Sequence, residues 1–208
     1  MAGEGPGTEY GTQVFLNVSF DSAYLKLSRA LVFGVHCCGM TARCALESSD
    51  GGEIRLDKIY RLIQDCRYGI HDLSRTSLDR STRLPRFNMP LELGIFLGAR
   101  RFGSAKQRAK VCLILDHRPY RYQKFCSDIA GQDIRVHSRN AVTSLGVVRN
   151  WLQAALPRVT LPGPKTIEGK YLRFQRTLPK ICTERGLTPR DLSFLDYRLL
   201  VQEWLELT

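Results

Sequence analysis

The feature that most constrains this chain is an alternation of short, β-prone apolar runs with longer segments of helical period, sustained over residues 14–156. Strands separated by helix-length connections run parallel, because a tight turn cannot reverse the chain without making the pair antiparallel. The sequence predicts strands over 14–20, 42–46, 67–73, 111–115 and 133–137. Val111, Cys112, Leu113, Ile114 and Leu115 form an unbroken apolar run, as a central strand buried on both faces requires. Helices are predicted over 21–35, 54–63, 89–99 and 140–156, with Pro90 tolerated in a first turn that needs no backbone donor. The expected fold class is α/β: a doubly wound, mainly parallel five-stranded sheet with a C-terminal helical extension.

Residues 1–12 read as a flexible leader, 13–156 as the α/β domain and 157–208 as a linker and helical tail. Leu161, Pro162, Gly163 and Pro164 interrupt the pattern. Helices are then predicted over 169–182 and 189–207, the second capped by Thr188 with Pro189 at its first position. Two helices cannot bury a core of their own, so the tail is expected to pack on the main domain or on a partner.

An apolar content of 43% supports a real core, and no window approaches the 18 apolar residues of a membrane span, so no membrane partner is expected. The Gly-rich, acidic N-terminus does not read as a secretory signal. Seven cysteines, an odd number without a C-x-x-C pair, point to reduced thiols in a cytoplasmic protein. The four histidines show no ligand spacing with them, so no metal is expected.

The net charge of +11 is uneven: residues 73–110 hold nine Lys or Arg against Asp79 and Glu92. A solvated basic face is one reading. A second is a phosphate grip by Arg75, Arg80, Arg83 and Arg86 on a long loop overhanging a ligand crevice. A third, contact with a nucleic-acid backbone, is disfavoured because no helix-turn-helix, zinc-finger or aromatic strand signature accompanies the charge.

Open α/β sheets bind ligands beyond the carboxyl ends of their strands, and residues 17–21, 69–75 and 87–92 end there. No Walker loop, G-x-G-x-x-G or G-x-S-x-G occurs, which argues against a P-loop NTPase, a dinucleotide oxidoreductase and a serine hydrolase. Glu92 is the lone charge between Phe87 and Ala99. It is either an ordinary first-turn glutamate favoured by the helix dipole, or a carboxylate at the crevice mouth that stabilises or attacks an oxocarbenium-like centre. Asp72 is the natural second acid, for substrate orientation or as partner of His71, and Ser74 could donate to a phosphate; the alternative is plain turn chemistry. Asn17, Ser19 and Asp21 are expected in the same pocket. Phe20 and Phe87 would stack on a base, or else belong to the core.

The opening run Val14, Phe15, Leu16, Asn17, Val18, Ser19, Phe20, Asp21, followed later by a helix beginning Pro90, Leu91, Glu92, Leu93, Gly94, resembles the Toll/interleukin-1 receptor (TIR) domains and the related nucleoside 2-deoxyribosyltransferases. The resemblance covers residues 13–156 and implies a flavodoxin-like, TIR-like sheet with Glu92 and Asp72 as catalytic residues. Asn88, Met89 and Pro90 stand where TIR enzymes carry an aromatic residue and a cysteine. It further implies cleavage or transfer of an N-glycosidic bond, with NAD as substrate rather than cofactor, by an NAD nucleosidase or signal-producing cyclase of bacterial anti-phage defence. His71 would orient the sugar, and Arg75 or Arg86 would hold phosphate. Homo-oligomers and a defence-system partner protein are the implied associations. A non-catalytic nucleotide sensor or assembly scaffold, and a nucleoside deoxyribosyltransferase, are the alternatives.

Overall fold

The computed structural model describes residues 9–76 and 87–208. Strands β1 (Gln13–Asn17), β2 (Thr41–Arg43), β3 (Tyr68–Asp72), β4 (Val111–Asp116) and β5 (Arg135–Val136) form one sheet in the order β2-β1-β3-β4-β5. Every neighbouring pair is parallel. This is the doubly wound, flavodoxin-like arrangement expected from the alternation of elements. Its strand order reverses between β1 and β3, so the connections leave those strands toward opposite faces and a crevice opens at their carboxyl ends.

All five residues of β1 and of β3 are buried, because helices cover both faces. On one face α3 (Arg55–Asp65) and α4 (Asn88–Phe102) pack Ile59, Leu62, Ile63 and Phe96 against Phe15. On the other, α2 (Leu25–Cys37) and α6 (Ala141–Ala155) cover Val14, Leu16, Tyr68, Ile70, Leu113 and Leu115. Successive strand residues alternate between these layers. Asn17 and His71 therefore stand on the α3/α4 side, and Asp72 stands on the α2/α6 side.

Several boundaries differ from the sequence expectation. The leader region includes a short helix, α1 (Glu9–Thr12), with Tyr10 buried and its hydroxyl donating to the Lys106 carbonyl at 2.8 Å, next to α5 (Ala105–Arg108). Pro164 does not end a linker but starts α7 (Pro164–Glu184), where its missing N–H removes no helical hydrogen bond. The last helix, α8 (Phe194–Glu206), begins beyond Thr188 and Pro189. Ser193 and Asp196 form a reciprocal capping box there, whereas the Thr188 hydroxyl is tied to Asp191 in a preceding turn. The tail packs on the main domain through a continuous apolar cluster: Phe174 stacks on Phe33 at 5.4 Å, and Tyr197 donates to the Arg29 carbonyl at 3.2 Å.

One member of the basic stretch is structural. Lys110 is buried and donates to the carbonyls of Ile63 and Cys66, and burial pulls its pKa down to about 8. Arg80, Arg83 and Arg86 lie outside the described residues. Among the described residues no helix is long and apolar enough to cross a membrane.

Candidate active site

A hollow of about 370 Å³ opens at the carboxyl ends of β1 and β2, beside the switch point. That size suits a small-molecule ligand. Asn17, Ser19, Phe20 and Asp21 form one wall, and Cys44, Ala45 and Leu46 after β2 form another. Arg55 at the head of α3, Arg75 after β3, and Asn88, Met89 and Glu92 of α4 complete it. Eight of the residues selected from the sequence thus meet around one cavity.

Glu92 is 4% exposed and makes no hydrogen bond or ion pair among the described residues. Burial pushes its carboxyl up to about 7 from an ordinary 4.5, opposed only by the charge of Arg55. The helix-dipole explanation does not apply. Helix α4 starts at Asn88, one residue before the expected position, so Glu92 is its fifth residue and lies beyond the first turn and its free N–H groups. A carboxylate buried on a cavity wall with no donor from any described residue is strained toward a further partner.

Asp21, the other acid of the hollow, is treated differently. It accepts from the Ser19 hydroxyl at 2.9 Å, the Tyr24 backbone N–H at 3.0 Å and Arg75 Nε at 3.0 Å. Arg75 is therefore tied to Asp21 in this structure instead of standing free for phosphate. Arg55 has no ion-pair partner among the described residues and lines the same cavity, a residue that the sequence reading missed. A usable signal existed: a cation on the first residue of a helix opposes the dipole, and such a placement calls for an anionic neighbour.

Asn17 is 1% exposed, with Nδ2 donating to the Met89 carbonyl at 2.8 Å and lying 3.1 Å from His71 Nδ1, while Oδ1 is buried without a partner. His71 does not reach the hollow as a sugar-orienting group. It is fully buried, 4.8 Å from the Phe96 ring and 6.0 Å from the Phe15 ring, and desolvation lowers its pKa to about 3. Its imidazole stays neutral and accepts from Asn17. Gly69 makes room for this ring, since a Cβ there would stand 2.7 Å from both His71 Nε2 and Phe96.

Asp72 does not pair with Glu92 or with His71. Pleat alternation sends it through to the other face, where Tyr24 donates to it, the Ser74 backbone N–H donates at 2.8 Å and His137 Nε2 lies 3.1 Å away. His137 Nδ1 accepts from the Arg139 N–H at 2.9 Å, which places the imidazole proton on Nε2, 3.2 Å from the Tyr24 hydroxyl. Ser74 donates its hydroxyl to Tyr24 at 3.0 Å and is not turned toward a phosphate. Each member of this cluster is sealed from solvent. Phe87, 59% exposed, caps α4 without lining the hollow, while half-buried Phe20 lines it and meets Phe194 edge-on at 5.6 Å.

Set against protein-family models, curated proteins and solved structures, the chain matches none, so its function is to be read from this geometry.

Proposed function

We propose that the protein carries a TIR-like domain that cleaves or transfers the N-glycosidic bond of a nucleotide, with NAD as the substrate and Glu92 as the acting carboxylate. The observation that supports this most is the isolation of Glu92: buried, unpaired among the described residues and on the wall of a nucleotide-sized hollow. Breaking a ribosyl–nitrogen bond builds positive charge on the sugar carbon, and a desolvated carboxylate with no competing donor stabilises that charge strongly.

A nicotinamide glycoside suits a site that shows one free acid among the described residues. Its base is already cationic and leaves neutral by taking the bonding electron pair, so no second acid is needed to protonate it. The same positive charge keeps Glu92 ionised on binding, although burial in the protein alone holds its pKa at about 7. Water, or a hydroxyl of the substrate, then forms the new bond to the sugar carbon and releases its proton, which yields hydrolysis or cyclisation. Asp21 and the orphan Asn17 Oδ1 are acceptors for ribose hydroxyls, and Arg55, which has no ion-pair partner among the described residues, is a cation for phosphate. The deoxyribosyltransferase alternative draws less support, because the second acid it requires, Asp72, faces the other layer. Assembly into homo-oligomers and a part in anti-phage defence rest on the resemblance alone.

The test is incubation of wild type and Glu92→Gln with NAD, nicotinamide mononucleotide and deoxynucleosides, with products identified by mass spectrometry. Nicotinamide release by wild type and its loss in the variant are expected, with the variant melting no lower than wild type. No base release from any of them, or equal release by both proteins, sinks the proposal. Recovery of an intact nucleotide from inactive wild type moves the reading to a sensor.

A further inference from the structure

A second hollow of about 160 Å³ adjoins the first, and the two share Phe20 and Leu46 as walls. It is formed where α2 meets the tail: Leu25, Arg29 and Val32 on one side, Leu192, Phe194 and Tyr197 on the other. A cavity of roughly this volume lined by apolar side chains has room for a flat aromatic group. Its lining is not wholly apolar. The Arg29 guanidinium lies 5.0 Å from the centre of the Tyr197 ring, and its Nη2 is buried with no hydrogen-bond partner among the described residues. A buried guanidinium N–H left without an acceptor is costly, and a ligand atom with a lone pair would relieve it.

From these observations we infer that the slot beside Phe20 receives the base of the second nucleotide of a dinucleotide, with Arg29 donating to a ring nitrogen or carbonyl of that base. The inference rests on the nucleotide reading of the Glu92 hollow. It assigns the last helix, α8, and the turn before it a role that packing alone does not: they supply one side of the slot that distinguishes a dinucleotide from a mononucleotide. The ligand would cross from one hollow to the other over Phe20 and Leu46, the latter 50% exposed. Phe20, whose ring lines both hollows, is available along that path for contact with a base. A mononucleotide would fill the first hollow only.

The experiment compares equilibrium binding of NAD and of nicotinamide mononucleotide to the Glu92→Gln protein, in which turnover is suppressed, and to the same protein carrying Leu25→Trp or Arg29→Met. Leu25 is half-buried at the start of α2, so the larger ring fills the slot without entering the core. NAD is expected to bind at least about tenfold more tightly than the mononucleotide. Each substitution should remove that margin and leave mononucleotide affinity within about twofold, which also shows that the fold is intact. Equal binding of the two ligands, no binding of either, or a margin that survives both substitutions overturns the inference. Failure of the glycosidic reading shows separately, as intact NAD after incubation with wild type whatever the affinities.

Discussion

The hollow around Glu92 and the cluster around Asp72 occupy the same end of the same sheet, one on each face, and they hold a carboxylate in opposite ways. Asp72 has a hydroxyl, a backbone N–H and an imidazole around it and no route to solvent. Glu92 has no donor among the described residues and a cavity in front of it. Both are buried acids near strand ends, and both look alike in the one-dimensional chain. What separates a structural acid from a chemically available one is whether its neighbours have already satisfied it.

The contrast breaks most sharply at Glu92. Replacing it with Gln should lower the rate of nicotinamide release by about 10³, the scale of removing one preorganised group that stabilises transition-state charge, as read in a single-turnover assay. The counterpart is Asp72→Ala, which strands His137 and Tyr24 in the interior and should cost about 3–4 kcal/mol of stability in denaturant titration. Its activity per folded molecule should stay within about threefold of wild type. A large loss of turnover with unchanged stability would reverse the roles assigned to the two acids.

The next effect is in pH. The Glu92 carboxyl is raised from 4.5 to about 7 in the folded protein, so the folded state holds the proton more firmly than the unfolded one. Its contribution to stability is whole below pH 4.5 and is lost as the pH rises through 7. Glu92→Gln should therefore match wild type at low pH and exceed it by about 3 kcal/mol above pH 8, in melts followed across that range. Identical pH dependence of the two proteins would mean that Glu92 is solvated. The smallest effect belongs to Arg55→Ala, expected to weaken phosphorylated ligands about tenfold while leaving unphosphorylated nucleosides unchanged, with the difference shrinking in high salt.

Much of the fold was legible because its signals are local. The apolar run from Val111 to Leu115, the helical spacing of Val142, Leu145, Val148 and Leu152, and the lone charge of Glu92 are each visible within a dozen residues. Helix starts were less legible where two capping signals compete. The sequence reading takes Thr188 with Pro189, whereas the structure caps the helix with the reciprocal box of Ser193 and Asp196, with Phe194 and Tyr197 buried beyond it. The mispairing of Asp72 had a different origin. Strand alternation already placed His71 and Asp72 on opposite faces, but which face belonged to the helix carrying Glu92 depends on the crossovers on either side of the switch point.

By itself the sequence determined the class of fold, the candidate strand ends and the isolation of one acid, because periodicity, turn chemistry and charge spacing act over short stretches of chain. Only the tertiary structure decided which of those groups share a cavity. Satisfaction of a buried polar atom depends on side chains brought in from distant segments: His137 and Tyr24 close off Asp72, Asp21 occupies Arg75, and no hydrogen-bond donor from any described segment reaches Glu92.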